Sequence, residues 1–235
     1  QLGFYEVVEA AMGADLVAMA EAKELADKGF LTSSCCPAFV SYIEKSFPEL
    51  LPFVSHNLSP MATISKYIKE HEAPCKVVFI GPCAAKKLEA MRKSVRSEVD
   101  FVLTFEEMAG IFDAKHVDLT TIEEDPDGVN DASTDGRNFA VSGGVAQAVV
   151  NVIKARYPDK EVKVTSAEGL RECRKMMKDA AAGKYPGYLL EGMACPGGCV
   201  AGAGTMQPIK KSQVAVNLYA KQANHRISNE TRHIK

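Results

Sequence analysis

The chain has 235 residues, 46 % hydrophobic and 25 % charged, a length and balance that suit one or two globular domains and exclude wholesale disorder, collagen and coiled coil. Its 28 Lys and Arg against 30 Asp and Glu leave a formal charge of −2, which offers no electrostatic footprint for nucleic acid or an anionic membrane. The longest charge-free stretch, residues 192–209, is interrupted by Pro196, Pro208 and several glycines, so it reads as a loop and not as a membrane span. No basic segment followed by an apolar one opens the chain, so no secretory signal is expected in it.

Apolar residues at helical spacing (Val8, Met12, Leu16, Met19, Leu25) predict one long helix or two short ones over residues 5–28, with Gly29 as C-cap. A short extended segment at Phe30-Leu31 leads into Ser33-Ser34-Cys35-Cys36-Pro37, after which Val40, Ile43 and Phe47 line a helix stopped by Pro48. Ser59-Pro60 opens another helix to about residue 71, and residues 76–80 form a buried-strand run that places Cys83 at a strand's carboxyl end. A strand is predicted at 99–104, a helix at 105–112, and an acidic, turn-rich connection at 121–138 that contains Asp125-Pro126-Asp127-Gly128. Beyond it come a strand at 138–142, a turn at Gly143-Gly144, a helix at 145–156, a strand at 161–165, a helix at 167–182, a strand at 187–193 and a last helix at 212–223. The expected fold is α/β with two lobes, each a mostly parallel sheet flanked by helices. Lobe one covers about residues 1–120, a linker about 121–137 and lobe two about 138–235, with ligands at the carboxyl ends of the strands.

Seven cysteines is an odd number, and a secreted disulfide scaffold would be shorter and evenly paired, so a reducing cytoplasm is expected. Cys75, ahead of a strand, and Cys173, within a helix, read as small core residues. The other five fall in three tight settings: Cys35-Cys36, Cys83 after Gly81-Pro82, and Cys195-Pro196-Gly197-Gly198-Cys199. Four thiolates from three loops suit zinc or an iron–sulfur cluster. Only Cys195 and Cys199 make a local pair, which fits a cluster shared between the lobes better than a zinc knuckle. The five histidines, His56, His71, His116, His225 and His233, form no spaced pair, so none is assigned as a ligand.

Three segments in register, Ser33-Ser34-Cys35-Cys36-Pro37-Ala38-Phe39, Gly81-Pro82-Cys83-Ala84-Ala85-Lys86 with Glu89, and Met193-Ala194-Cys195-Pro196-Gly197-Gly198-Cys199, resemble the signatures of the [FeFe]-hydrogenase catalytic, or H-cluster, domain. The resemblance covers nearly the whole chain. It implies that Cys36, Cys83, Cys195 and Cys199 hold a [4Fe–4S] cluster and that Cys199 also bridges to a di-iron subcluster carrying CO, cyanide and an azadithiolate. The implied activity is the reversible interconversion of H2 with two protons and two electrons, the cofactor doing the hard chemistry and the protein positioning, tuning and supplying protons. Lys86 would aim an ammonium at a cyanide, and Met193 would pack its thioether against the subcluster. Cys35 would relay protons, followed by Glu21, Ser55 and Glu24, with Lys28 at the exit; without the resemblance, Glu21 and Glu24 read as one solvated helix face. Glu89 matches the motif with either a structural or a functional role.

The family's usual Thr is here Ser33, its Trp is Phe39, a Met is Gly81, a Phe is Gly192, and the turn after Cys199 is lengthened through Gly202, Gly204 and Pro208. Such departures resemble a divergent, sensory branch in which H2 level is the signal. The resemblance also implies an upstream region with accessory clusters, and no Cys-x2-Cys-x2-Cys run occurs in this sequence. Electrons would enter from that region, another subunit or a ferredoxin-like carrier, and maturation proteins would install the subcluster. The rival from another class is a non-catalytic protein holding only a [4Fe–4S] cluster, similar to the cluster-assembly relatives.

Overall fold

The computed structural model describes residues 2–72, 74–123, 128–129 and 131–231; Asp125, Pro126 and Asp127 of the expected connection lie outside the described residues. Among the described residues five strands, β1 (Leu31–Thr32), β2 (Val78–Ile80), β3 (Phe101–Leu103), β4 (Lys163–Glu168) and β5 (Tyr188–Met193), form two sheets. Both are parallel: one has the order β1-β5-β4 and the other pairs β2 with β3. The helices are α1 (Ala10–Lys28), α2 (Pro37–Ser46), α3 (Pro60–His71), α4 (Ala85–Ala90), α5 (Phe105–Ala114), α6 (Thr134–Asn138), α7 (Gly144–Arg156), α8 (Leu170–Ala181) and α9 (Ile209–Lys221). The fold is therefore the expected α/β arrangement of parallel sheets and flanking helices. β1 lies in the first 120 residues yet pairs with β5, so the chain crosses between the sheets early.

β5 is the middle strand, and from Leu189 to Met193 every residue is buried, as a parallel strand covered on both faces requires. Leu189 joins a core with Val17, Ala18, Val149 and Val152 from α1 and α7. Leu190 points the other way, into a core with Phe39, Ile43, Cys173 and Met177 from α2 and α8. This helix–sheet–helix sandwich follows from the two-residue alternation of strand side chains. The β2–β3 sheet rests on a third cluster of Met61, Ala62, Val95, Val99 and Val102. Small residues let α1 approach α3 closely: a Cβ on Gly13 would stand 2.2 Å from the Pro60 carbonyl oxygen.

Two readings need correction. Residues 138–142 are not a strand: α6 runs through Asn138, capped by the Ser133 hydroxyl, which accepts from the Gly136 N–H at 3.0 Å, and turns follow. The apolar alternation there finds no strand to pair with, because its backbone serves a loop: Ala140 O accepts from Val200 N–H and Ser142 N–H donates to Gly197 O. Cys75 is exposed and fills no core, whereas Cys173 is buried as expected. Boundaries also move: β4 continues through Glu168, and Gly169, at a φ of 76°, turns the corner into α8. Among the described residues, no helix is long and apolar enough to cross a membrane.

Candidate metal centre and proton route

The cysteines of interest all follow the carboxyl ends of strands. Ser33 N–H donates to Leu190 O at 2.9 Å, extending the β1–β5 ladder until Cys36, the N-cap of α2, and Pro37 turn the chain into the helix. Cys195 follows β5 by two residues, and Gly81 N–H donates to Leu103 O at 3.0 Å, carrying the β2–β3 pairing to the brink of Cys83. Gly204 N–H donates to Pro82 O at 2.8 Å, and Ser142 N–H donates to Gly197 O at 3.2 Å, so the loop 197–204 is stitched to both neighbours. The stitching needs glycine: a Cβ on Gly202 would stand 2.3 Å from Pro82 O, and Gly198, at a φ of 90°, passes the backbone of Ser142.

All seven cysteines are unpaired, and Cys36, Cys83, Cys195 and Cys199 are each half-buried. Their charges sense one another. Burial pushes the Cys199 thiol up to about 12, with Cys36, Cys83 and Cys195 adding to the rise and Lys86 opposing it. Burial also raises Cys195, helped by Cys36 and Cys83. Cys195 and Cys199, whose ionisation burial and the neighbouring sulfurs oppose, together with Cys36 and Cys83 are a donor set that a cationic centre would satisfy, releasing protons as it binds. Among the described residues no three His, Cys, Asp or Glu side chains surround a single-ion site. An iron–sulfur cube takes each thiolate at its own iron, so its four ligands need not converge on one ion.

Lys86 is enclosed on α4. Its Nζ donates to Glu89 Oε2 at 2.7 Å and to the carbonyl of Cys35 at 3.3 Å, which ties α4 to the Cys35-Cys36 loop. Glu89 thus orients the lysine from one turn away. Met193 ends β5 with 2 % exposure, inside the core of α1 and α7 together with Cys35.

Beside Cys35 runs a line of proton-bearing groups that leads outward. Glu21 is wholly enclosed; its Oε1 accepts from Ser34 N–H at 3.2 Å and its Oε2 has no partner. Burial raises its carboxyl to about 7, against the pull of Ser34 and Ser55 and with repulsion from Glu24 and Glu191. The Ser55 hydroxyl donates to Glu24 Oε2 at 2.9 Å, and Lys28 Nζ donates to Glu24 Oε1 at 2.6 Å in solvent. Burial works to raise Glu24, but Lys28, Ser55 and the His56 N–H outweigh it and leave the carboxyl below its ordinary value. Cys35 itself is raised well above an ordinary thiol, first by burial and then by Glu21. Ser55 and Lys28 thus both hold Glu24, Glu21 faces the Ser34 backbone next to Cys35, and the charges of Cys36 and Cys83 reach both Cys195 and Cys199.

Residues 1–203 match the family described as iron only hydrogenase large subunit, C-terminal domain. The chain belongs to this family. It is 30 % identical over 260 residues to the periplasmic [Fe] hydrogenase large subunit of Nitratidesulfovibrio vulgaris, covering 89 % of this chain and 61 % of that protein. It is also 28 % identical over 145 residues to the cytosolic Fe-S cluster assembly factor NAR1 of Kluyveromyces lactis, covering 58 % of this chain and 31 % of that protein. A solved structure of a variant of the [FeFe]-hydrogenase HydA1 from Chlamydomonas reinhardtii agrees with a TM-score of 0.78 at 23 % identity, over 99 % of this chain and 79 % of that one, a likeness of fold. The chain thus spans about half the length of the curated relatives it matches.

Two features of this hydrogenase-family domain were not legible beforehand. Glu191, fully buried in the middle of β5, accepts from Gly143 N–H at 2.7 Å and Ala146 N–H at 2.8 Å, capping α7, and its charge reaches both Glu21 and Cys35. Its signal was an acid inside the apolar run Leu189-Leu190-Glu191-Gly192-Met193, which a sheet buried on both faces tolerates only with a partner. The second is that two of the family departures are one: a Cβ on Gly192 would stand 2.2 Å from the Phe39 ring, so the ring of Phe39 fills the space above the glycine.

Proposed function

We infer that the domain is an [FeFe]-hydrogenase catalytic unit, interconverting H2 with two protons and two electrons. What supports this is the buried Glu21 facing the Ser34 backbone next to Cys35, with Ser55 and Lys28 on the neighbouring Glu24, since a protein that only stores a cluster has no use for a buried acid poised near neutrality. Cys36, Cys83, Cys195 and Cys199 would hold a [4Fe–4S] cluster, with Cys199 shared with a di-iron subcluster. When bound, that subcluster supplies the site where H2 is made or split. Lys86, released in part from Glu89, would donate to an anionic ligand of the subcluster, and Met193 would keep water from that side. Cys35 would pass protons to Glu21, and Ser55 and Glu24 would carry them to Lys28 and solvent. Electrons would come from a ferredoxin-like carrier or an upstream cluster domain, and maturation proteins would load the subcluster. Seven unpaired thiols favour a reducing cytoplasm, and the reshaped pocket around Phe39 and Gly192 favours a hydrogen-sensing role.

Similarity to a cluster assembly factor supports the second reading, a non-catalytic protein with only the [4Fe–4S] cluster. Infrared spectroscopy decides between them. After incubation of the cluster-loaded chain with a synthetic di-iron subcluster, bands of metal-bound CO and CN are expected; their absence would leave the second reading. Fast H2 evolution from a reduced carrier marks a turnover enzyme, and bands with sluggish turnover mark a sensor.

A further inference from the structure

Glu24 stands between the buried acid Glu21 and solvent, and its carboxylate is crowded with donors. Oε1 accepts from Lys28 Nζ at 2.6 Å, and Oε2 accepts from the Ser55 hydroxyl at 2.9 Å and from Asn57 Nδ2 at 2.9 Å. The His56 N–H reaches both oxygens, at 3.3 and 3.2 Å. A carboxylate held this way favours its charged form and gives up a proton readily, so the group that takes the proton must stand close by. Lys28 is close, but as the ammonium that pairs with Glu24 it has no lone pair with which to accept.

The imidazole of His56 has one. Its Nδ1 lies 3.3 Å from Glu24 Oε1 and 3.3 Å from Lys28 Nζ, while 74 % of the side chain is open to solvent. A neutral ring accepts from Lys28 at Nδ1 and carries its proton on Nε2; a protonated ring donates from Nδ1 to Glu24. Glu24 and Lys28, both on α1, are the charged side chains set against the ring among the described residues. The backbone fixes this placement from both sides. Ser55 N–H donates to Thr32 O at 2.8 Å, and the Ser34 hydroxyl donates to Asn57 O at 2.8 Å, so the loop that carries His56 is fastened to β1 and to the segment leading to Cys35.

We propose that His56 is the proton-exchange group of this domain, passing protons between Glu24 Oε1 and water. Imidazole is the side chain suited to gain and lose a proton between about pH 5 and 8. The inference rests on the proton route read above and names the residue through which that route meets solvent. In the outward direction the Glu24 O–H bond breaks as the Nδ1–H bond forms, and the Nε2–H bond then breaks to water or a buffer base. The inward direction is the reverse, and no electron moves.

The test follows the proton as well as the gas. In the cluster-loaded chain, before any di-iron subcluster is added, a rapid change from H2O to D2O buffer below pH 7 exchanges the protonated Glu21 carboxyl. Infrared spectroscopy times the shift of its C=O band, assigned by its loss in Glu21→Gln. His56→Gln, which keeps the backbone N–H on Glu24, is expected to slow this exchange about tenfold or more in dilute buffer. Free imidazole is expected to restore the rate in His56→Gln and to leave the parent unchanged. H2 evolution by the fully loaded chain is expected to show the same fall and the same rescue, with the KM for the electron carrier unchanged. His71→Gln, at an exposed histidine on α3, is expected to match the parent in both assays. An unchanged exchange rate in His56→Gln overturns the proposal, as does an equal fall in His71→Gln or a fall that imidazole fails to reverse, the mark of a purely structural part. A chain that shows the CO and CN bands yet exchanges Glu21 without regard to His56 sinks this proposal alone. A chain that never shows those bands sinks the catalytic reading, and the exchange of Glu21 still decides the part of His56.

Discussion

Replacing Glu21 with Gln separates the stability of the domain from its chemistry. The carboxyl is completely enclosed, Oε2 has no partner, and burial holds its pKa at about 7 against an ordinary 4.5. Between those two values the folded chain holds a proton that the unfolded chain has released. Stability from this group is therefore full at low pH, is lost as pH rises through that window, and is flat above it. The shift corresponds to roughly 3 kcal/mol. Glu21→Gln removes the ionisation while Oε1 can still accept from Ser34 N–H, so the variant is expected to be more stable than the parent by about 2–3 kcal/mol at pH 8 and equal to it near pH 4.5. Urea unfolding of the metal-free chain at several pH values measures this, and the difference between the two proteins isolates Glu21 from Asp135, which burial also raises, to about 6. Turnover should move the other way, falling by about 10² or more with the loss of a positioned acid–base group. A stability difference that does not change with pH would refute the electrostatic account, and a variant turning over at near-parental rate would refute the route through Glu21.

Gly192→Phe should destabilise the fold by about 3 kcal/mol through collision with the Phe39 ring, and Phe39→Ala in the same chain should restore part of it, as read by urea midpoints. Lys86→Met leaves Glu89 buried without its cation and should cost about 3–5 kcal/mol, whereas Lys86→Met with Glu89→Leu should regain near-parental stability yet lose the CO and CN infrared bands after loading. Gly202→Ala places a methyl against Pro82 O and should lower the iron bound per chain by forcing the Cys83 and Cys199 loops apart, while Gly110→Ala, which meets open space, should leave iron content unchanged.

The helices and most strands were readable because their apolar spacing matches the faces they bury. Met19, Leu25 and Ile43 sit where a 3.6-residue period puts them, and Leu189 and Leu190 divide between two cores as a strand must. The ligand loops were readable because cysteine, proline and glycine carry both chemistry and turn geometry. What escaped depends on partners distant in sequence. Residues 138–142 have a strand's alternation but face a loop, and Cys75 lies in no core because the chain around it stays at the surface. Glu191 is explicable only once the N-terminus of α7, more than 40 residues earlier, is seen to donate to it.

The short β1–β5 pairing does more than its two residues of register suggest. Leu31 opposes Leu189 and Thr32 opposes Leu190, and Ser33 adds one further hydrogen bond before Cys35 and Cys36 leave the sheet. Cys195 after β5 and Cys35 after β1 are thus set by the same ladder, and α1, which carries Glu21 and Glu24, enters β1 through Gly29 and Phe30 alone. A slip of one residue would turn Cys35 and Cys36 each to the face the other now holds. Burial of Leu31, Leu189 and Leu190 at 0 % exposure opposes that slip, since moving them would carry apolar side chains out of the two cores. The spacing between these cysteines and the acids of α1 is therefore held by hydrophobic packing in which Cys35 and Met193 themselves take part.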